Sequence, residues 1–226
     1  KNLMFNAVAP LVLFDLDGTL LDSARDLHVA MNRLLAEKSE PLIDFEIFRP
    51  VVSKGARAML KQSFSHADEN AREILLPEFL AVYEKGLAEH SLVFEGVHEV
   101  LEHIEAQGSR WAIITNKPYY LAEPLVEKLG WSTRSAILLG GDSLPKKKPD
   151  PDQLLHACLK LGVNPEHCVY VGDDERDVIA ANAAGMRSIG ALWGYRPIDD
   201  LPEAWGADDL ANQPMDLVER GLLASL

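Results

Sequence analysis

The chain has 226 residues, of which 35 are acidic and 22 are basic, and its formal net charge is −13. This charge argues against a nucleic-acid partner, because phosphate neutralisation needs a basic surface. The hydrophobic share of 47% and the charged share of 25% exclude a disordered or fibrous chain. No apolar run approaches the roughly 18 residues that a membrane span needs, and the segment 1–10 is too weakly apolar for a secretory signal. We therefore expect no membrane partner and a cytoplasmic location.

The chain contains two cysteines, Cys158 and Cys168. Two are too few for a disulfide framework, and the sequence around them lacks the histidine or cysteine partners of a zinc site. We expect both to be buried core residues.

Short apolar runs alternate with amphipathic segments of helical length over most of the chain. Runs that are apolar throughout are typical of strands buried on both faces of a sheet. The pattern predicts an α/β fold with a doubly wound parallel sheet of five strands. The predicted strands are 11–14, 111–114, 136–139, 168–171 and 188–192, and the predicted helices are 97–107, 119–129, 151–161, 175–184 and 214–224.

The stretch 23–95 interrupts this alternation and contains no run typical of a buried strand. It offers amphipathic helical segments at 24–37, 44–49, 56–65 and 70–88. Because the strand–helix alternation resumes afterwards, we predict a helical cap domain over 23–95, inserted into a core domain formed by 1–22 and 96–226. Ligands of open α/β sheets bind beyond the carboxyl ends of the strands, so the residues after the apolar runs are the candidate site.

Two aspartates directly follow the first apolar run, in the order Asp15-Leu16-Asp17-Gly18. Carboxylates at the end of a buried strand are unfavourable unless a cation or hydrogen bonds stabilise them, and a divalent metal would do so. A turn whose aspartates cap the next helix is the alternative, and Gly18 fits it. A calcium-binding loop does not fit, because its glycine is the sixth residue and here it is the fourth.

Further polar side chains follow the second and third runs. Thr115 and Asn116 can bind phosphate oxygens through a hydroxyl and backbone N–H groups, although a threonine before a helix is also a common N-cap. Three consecutive lysines end at Lys148, which precedes a proline and is therefore held extended. This would aim its ammonium group into the cleft, whereas Lys146 and Lys147 are expected to be surface charges.

The fourth run leads into an acidic segment, 173–177. The helix dipole explains the acidic residues that open the next helix, but it does not explain Asp173. Asp173 is placed to complete a metal site with Asp15, and Asp177 lies one turn later and can support the metal or Lys148. Oxygen ligands of this kind suit Mg²⁺.

Together, these segments resemble the four motifs of the haloacid dehalogenase (HAD) superfamily of phosphotransferases. The corresponding positions are the DxDGT motif at 15–19, the threonine motif at Thr115, the lysine motif at Lys148 and the GD…D motif at Gly172, Asp173 and Asp177. The resemblance spans nearly the whole chain. It implies a HAD-like Rossmannoid core with an inserted cap.

Two branches of this superfamily are similar to the chain. The segments 115–118, 140–149 and 194–195 resemble phosphoglycolate phosphatases, and 53–59 and 205–208 resemble N-acetylmuramic acid 6-phosphate phosphatases at least as closely. The resemblance implies hydrolysis of 2-phosphoglycolate to glycolate. N-acetylmuramic acid 6-phosphate or another sugar phosphate is the alternative substrate.

The resemblance also implies a phosphoaspartate intermediate. Asp15 would attack phosphorus, and Asp17 would protonate the leaving alkoxide and then activate water. Dehalogenases of the superfamily lack an aspartate at the position of Asp17, because a halide leaves without a proton. Its presence therefore favours phosphate monoesters.

The same resemblance implies the groups that bind metal and phosphate. Magnesium ligands would be the Asp15 and Asp173 carboxylates and the Asp17 backbone carbonyl, supported by Gly18 and Asp177. Phosphate oxygens would be bound by Thr115, Asn116 N–H and Lys148, which neutralise the charge of the transition state.

Two cap residues, Lys54 and Arg57, lie in a glycine-containing loop before a predicted cap helix. We expect them to face the cleft and bind the part of the substrate beyond phosphorus, since arginine can pair with a carboxylate. Solvated surface charges are the alternative. Phosphonate cleavage through an imine on Lys54, and phosphomutase activity, are further alternatives.

A phosphate-binding regulatory protein without turnover is an alternative of another class, because fold alone does not imply activity. The joint presence of Asp15, Asp17, Thr115, Lys148 and Asp173 favours an enzyme. The expected partner is a small phosphorylated substrate, and the chain is expected to be a monomer or a homodimer.

Overall fold

A computed structural model describes residues 7–226. Residues 1–6, which form most of the segment considered above as a secretory signal, lie outside the described residues. Over 7–226, none of the helices is both long and apolar enough to cross a membrane.

The elements are given in chain order. The strands are β1 Leu11–Phe14, β2 Leu21–Asp22, β3 Leu92–Val93, β4 Arg110–Ile114, β5 Ser135–Leu139, β6 Cys168–Gly172, β7 Arg187–Ala191 and β8 Asp209–Ala211. The α-helices are α1 Ala24–Glu37, α2 Phe45–Phe48, α3 Ala56–Ser63, α4 Glu69–Lys85, α5 Val97–Ala106, α6 Tyr119–Lys128, α7 Asp152–Leu161, α8 Glu175–Ala184 and α9 Asp216–Glu219.

A parallel sheet of six strands, in the order β5-β4-β1-β6-β7-β8, forms the centre of the core. The predicted α/β fold with a doubly wound parallel sheet is confirmed, and each of the five apolar runs is one of its strands. The expectation of only five strands was wrong. The sixth strand, β8, has three residues and begins with a charged side chain, so no apolar run marks it.

Both faces of the sheet are covered. Alternate residues of β1 point to opposite faces, so Val12 and Phe14 pack in the cluster that includes α5 and α6. Leu11 and Leu13 pack in the cluster that includes α7 and α8. This double burial explains why every residue of β1 and β6 is buried.

The two cysteines lie in the core as expected. Both are buried and free, and their Sγ atoms are 3.6 Å apart.

The helices predicted at 97–107, 119–129, 151–161 and 175–184 are confirmed as α5 to α8. The helix predicted at 214–224 was wrong in length, because only Asp216–Glu219 is helical. Gly221 follows with a φ of +63°, a left-handed conformation that ends the helix.

The helical segments expected between 23 and 95 are α1 to α4, and a 3₁₀ turn, Arg49–Lys54, follows α2. They pack around a hydrophobic cluster of their own, which includes Leu34, Phe48 and Phe79. Strands β2 and β3 pair as a short antiparallel ribbon at the place where the chain leaves the core and returns to it. The domain boundaries at 22/23 and 95/96 stay a prediction.

Strand β1 lies between β4 and β6. The strands β4 and β5 are added on one side of β1, and β6, β7 and β8 are then added on its other side. Phe14 pairs with Ile113 of β4 and with Val171 of β6. The residues that follow these three strands therefore meet at one edge of the sheet, at the switch point where ligands of such sheets bind.

Candidate active site

A cavity of about 310 Å³ lies between the carboxyl ends of β1, β4 and β6 and the helices α1, α3 and α4. Asp15, Thr115 and Asp177 line the sheet side of this cavity. The structure thus brings together side chains that are up to 162 positions apart in the chain (177 − 15).

Three buried carboxylates converge beside the cavity. Asp15, Asp173 and Asp177 each have an oxygen within 4.8 Å of an oxygen of the others. Burial, and next the charge of Asp177, raise the pKa of Asp15 to about 7. Burial and the charges of Asp15 and Asp177 also raise the pKa of Asp173 well above its usual range. The cluster therefore holds more negative charge than its protein neighbours compensate, which fits a divalent cation with oxygen ligands.

Lys148 is the cation that reaches two of these carboxylates. Its side chain is 2% exposed, and its Nζ lies 3.1 Å from Asp15 Oδ1 and 2.8 Å from Asp177 Oδ1. Burial alone would lower the pKa of Lys148, but the two carboxylates outweigh it and raise that pKa. The ammonium group therefore points into the site, as the sequence predicts, and it stays charged.

The side-chain amides of Asn116, which is partly buried, and of Gln153, which is buried, hold the backbone at Lys148. Lys148 N–H donates to Asn116 Oδ1 and to Gln153 Oε1, both at 3.1 Å, and Asn116 Nδ2 donates to Lys148 O at 2.8 Å. Gln153 Nε2 donates in turn to Thr115 O at 3.1 Å. The Asn116 side chain thus positions Lys148, a contact that no sequence pattern predicts. Gln153 was missed altogether.

Asp173 is held from both the core and the cap. Its carboxylate accepts hydrogen bonds from Thr19 Oγ1 at 3.3 Å, from Tyr195 N–H at 3.0 Å and from Ser53 Oγ at 2.5 Å. Gly18 has a φ of +82°, and a Cβ there would lie 2.2 Å from Asp173 Oδ2. Glycine therefore suits this position, both for its backbone conformation and for its close approach to Asp173.

Asp17 does not join the acidic cluster through its side chain. Its Oδ1 accepts hydrogen bonds from Lys117 Nζ at 2.9 Å and from Ser23 Oγ. Lys117 also donates to Tyr83 Oη of α4 at 2.6 Å. Neither Lys117 nor Tyr83 was recognised from the sequence, because a lysine at a helix start and an aromatic on a cap helix have ordinary structural explanations.

Thr115 is buried, and its Oγ1 accepts the backbone N–H of Lys117 at 3.0 Å. The alternative that it caps the following helix is wrong, since α6 begins at Tyr119 and its N-cap position is Pro118. Its hydroxyl remains a donor at the cavity wall.

The two cap residues that were expected to face the cleft both line the cavity, but acidic side chains engage them. Lys54 Nζ lies 2.8 Å from both Asp174 and Asp200, and its pKa is raised because these partners outweigh burial. A charged, ion-paired amine does not fit imine formation, which argues against phosphonate cleavage. Arg57 pairs with Glu73 at 2.7 Å, and its side chain is 65% exposed.

Lys147 is a surface charge, as expected, but it also lies at the rim of the cavity. Partial burial, and next the nearby charges of Arg57 and Arg176, lower the pKa of Lys147. The cations at this rim favour an anionic group on the ligand. Lys146 is 66% exposed and lies 3.8 Å from Asp150, as expected of a surface charge.

The opposite wall of the cavity is apolar and belongs to the cap. It is formed by Leu27, Met59, Leu76, Phe79 and Leu80. The site thus combines a buried ionic wall at the strand ends with an apolar wall above it, the usual composition of a small-molecule site.

A family model for haloacid dehalogenase-like hydrolases matches residues 12–191. The chain belongs to this family. The resemblance of its four motifs to the HAD superfamily is thereby confirmed.

Named relatives of this HAD chain are phosphatases. It is 53% identical over 208 residues to the phosphoglycolate phosphatase of Xanthomonas campestris pv. campestris strain 8004, a match that covers 92% of the chain and 94% of that protein. It is 42% identical over 207 residues to the N-acetylmuramic acid 6-phosphate phosphatase of Pseudomonas putida, with 91% and 93% covered.

A solved structure of similar fold is the crystal structure of a "predicted phosphoglycolate phosphatase" from Haemophilus somnus 129PT. It matches with a TM-score of 0.84 and 28% identity, and the match covers 94% of this chain and 97% of that one. Together with the named relatives, this match confirms the HAD fold with a cap and the expected class of enzyme, a phosphoric monoester hydrolase.

Proposed function

We propose that the chain is a Mg²⁺-dependent phosphatase that hydrolyses 2-phosphoglycolate to glycolate and phosphate. The observation that carries the proposal is the convergence of the Asp15 carboxylate, the Lys148 ammonium and the acidic cluster on the sheet side of one cavity. The 53% identity to a phosphoglycolate phosphatase supports the choice of substrate. A cytoplasmic location and a monomeric or homodimeric state stay part of the proposal.

The proposed metal ligands are the carboxylates of Asp15 and Asp173 and the backbone carbonyl of Asp17, with Asp177 in support. These oxygens fit Mg²⁺ because the buried acidic residues lack sufficient positive charge around them. When bound, Mg²⁺ neutralises the substrate phosphate and thereby permits an anionic nucleophile to approach it.

Asp15 is the proposed nucleophile. An oxygen of its carboxylate forms a bond to phosphorus while the bond from phosphorus to the glycolate oxygen breaks, and Asp17 gives its proton to that oxygen. Asp17 then takes a proton from water, whose oxygen attacks phosphorus and displaces the Asp15 carboxylate. Inorganic phosphate leaves, and both aspartates return to their starting state.

The transferred phosphoryl group carries its charge on the three equatorial oxygens. We assign their recognition to Lys148, to the Thr115 hydroxyl and to the backbone N–H of Asn116. The Asn116 side chain contributes indirectly, since it fixes the backbone on both sides of the Lys148 Cα.

The proposal assigns the substrate carboxylate to the rim cations Arg57 and Lys147. Arg57 can turn from Glu73 toward the cavity, because its side chain is mostly exposed and arginine binds carboxylates with two parallel hydrogen bonds. Lys54 is held by Asp174 and Asp200, so its assigned role is to bind the 3₁₀ turn of the cap to the core.

N-acetylmuramic acid 6-phosphate is a second candidate substrate. A two-carbon acid leaves much of a cavity of about 310 Å³ unfilled, whereas a sugar ring would contact the apolar wall of the cap. The 42% identity to an N-acetylmuramic acid 6-phosphate phosphatase supports this candidate.

The test is phosphate release from 2-phosphoglycolate, N-acetylmuramic acid 6-phosphate and p-nitrophenyl phosphate, with and without Mg²⁺. We expect the highest kcat/KM for 2-phosphoglycolate, dependence on Mg²⁺, and no turnover by Asp15→Asn. A higher kcat/KM for N-acetylmuramic acid 6-phosphate would make that ester, and not 2-phosphoglycolate, the favoured substrate. Absence of turnover with every ester, despite binding of phosphate, would favour the regulatory protein without catalysis.

A further inference from the structure

Lys117 is a buried cation that the proposed reaction does not yet use. Its Nζ lies 2.9 Å from Asp17 Oδ1 and 2.6 Å from Tyr83 Oη, and it sits 4.5 Å from the centre of the Tyr83 ring. Its side chain is 6% exposed. A lysine is rarely buried to this extent unless its charge is compensated at that place.

The surroundings of Lys117 keep it charged. Burial alone would lower its pKa, but the Asp17 carboxylate and the Tyr83 hydroxyl outweigh burial and raise the pKa. Burial raises the pKa of Tyr83 to about 12, so the phenol stays neutral and its oxygen accepts a hydrogen bond from the ammonium group. The Lys117 contact with Asp17 is therefore a charge-assisted hydrogen bond.

Lys117 and Ser23 both donate to the same oxygen of Asp17. Their partner is Oδ1 in each case. Within residues 7–226, no side chain or backbone group donates a hydrogen bond to Asp17 Oδ2. The two donors thus fix the plane of the carboxyl group and distinguish its two oxygens.

This arrangement suits the proton transfer assigned to Asp17. An acid that gives a proton in the first step and takes one in the second needs one oxygen directed at the reacting atoms. We propose that Lys117 is a positioning residue that fixes Oδ1 of Asp17, together with Ser23, so that Oδ2 carries the proton. The inference rests on the proposed phosphatase reaction and deepens it.

Tyr83 gives this arrangement a link to the cap. It belongs to α4, whereas Lys117 and Asp17 follow strands of the core. The hydrogen bond from Lys117 to Tyr83 therefore forms only when α4 lies over the sheet edge. Alignment of the acid is thus completed by the same cap that encloses the substrate.

Leaving-group dependence tests this role. An alkoxide leaving group needs the proton from Asp17, whereas dinitrophenolate leaves without one. In a phosphoenzyme mechanism, kcat/KM reports the steps up to departure of the leaving group. We expect Lys117→Met to lower kcat/KM for the alkyl esters 2-phosphoglycolate and glycerol 2-phosphate by about 100-fold, a typical contribution of general acid catalysis. For the aryl ester 2,4-dinitrophenyl phosphate, we expect the same variant to lower kcat/KM by less than about 5-fold.

Three further variants sharpen this test. Lys117→Arg keeps the charge and is expected to restore part of the activity toward alkyl esters. Lys160→Met is the control, because it makes the same substitution on the exposed surface of α7. It should leave kcat/KM unchanged for both alkyl and aryl esters. In an Asp17→Asn background, Lys117→Met should not further change the ratio of kcat/KM for alkyl esters to kcat/KM for aryl esters, because the acid is already lost.

An equal loss of kcat/KM for alkyl and aryl esters in Lys117→Met would overturn the inference, because it would indicate that Lys117 binds phosphate directly. Tyr83→Phe retains the ring but removes the hydroxyl, and we expect a smaller change of the same ratio, about 3- to 10-fold. If Lys117→Met does not fold, Tyr83→Phe and Ser23→Ala decide the question, and an unchanged ratio in both contradicts the inference. If the wild type hydrolyses neither class of ester, the proposed function fails instead.

Discussion

The two walls of the cavity differ in how firmly their charges are held. On the core wall, Lys148 and Asp177 are 2% and 4% exposed, and each contacts partners from other elements. On the cap wall, Arg57 is 65% exposed and pairs with one neighbouring helix through Glu73. Charges fixed before the substrate arrives stabilise one kind of transition state, whereas mobile charges can adapt to different substrates. We therefore propose that the core wall sets the reaction and that the cap wall selects the ester.

The largest effect is expected from Asp173→Asn on the core wall. The variant removes one charge from the acidic cluster, and we expect kcat/KM to fall by about 1,000-fold for every ester. Mg²⁺ at about 100 times its Kd should raise the free energy of unfolding of the wild type by about 2.7 kcal/mol, and that of the variant much less. Thermal unfolding with and without Mg²⁺ measures this difference. Equal stabilisation of both proteins would place the metal elsewhere.

The next largest effect is expected from Lys148→Met. It leaves Asp15 and Asp177 as buried carboxylates without their cation. We expect the free energy of unfolding without Mg²⁺ to fall by about 3–5 kcal/mol, and kcat to fall by about 100-fold. Denaturant titration and steady-state kinetics measure the two effects. An unchanged kcat would remove Lys148 from the phosphoryl-transfer step.

A smaller and selective effect is expected from Arg57→Ala on the cap wall. We expect KM for 2-phosphoglycolate to rise about 10-fold, in line with the loss of a charged hydrogen bond, while KM for p-nitrophenyl phosphate changes less than about 2-fold. Lys61→Ala is the matched control, because Lys61 is an exposed cation on the same helix, α3. An unaltered KM for carboxylated esters would show that Arg57 is a solvated surface charge.

The smallest effect is expected from Lys54→Met. Its ion pairs with Asp174 and Asp200 are partly exposed to solvent, so the free energy of unfolding should fall by only about 1 kcal/mol. If Lys54 binds the cap to the core, KM should rise by a similar small factor, about 3-fold, for all esters. A rise confined to carboxylated esters would instead make Lys54 a direct ligand of the substrate.

Much of the core wall could be predicted from the sequence. Its functional side chains directly follow strands that are buried on both faces, such as β1 and β6, and apolar runs reveal these strands. Parallel packing then brings Asp15, Thr115 and Asp173 to one edge of the sheet. The strand β8 was missed because a short edge strand needs no continuous apolar run.

The cap wall was less predictable for a physical reason. Amphipathic periodicity identifies α1 to α4, but it does not state which helix face meets the core or how long side chains pair across the cleft. Lys117 and Tyr83 are 34 positions apart, and only the docking of α4 brings them together. The position of Lys147 at the cavity rim likewise depends on the path of a loop that no periodic pattern describes.

Phosphorylation of Asp15 during the reaction can be tested with the Asp17→Asn variant and 2,4-dinitrophenyl phosphate. Dinitrophenolate leaves without a proton, whereas attack of water on the phosphoenzyme needs the base that this variant lacks. Rapid acid quench followed by peptide mass spectrometry should therefore find a burst of dinitrophenolate, close to one per chain, matched by a phosphoryl group on Asp15. A burst of the same size with Asp15 unmodified would exclude Asp15 as the nucleophile.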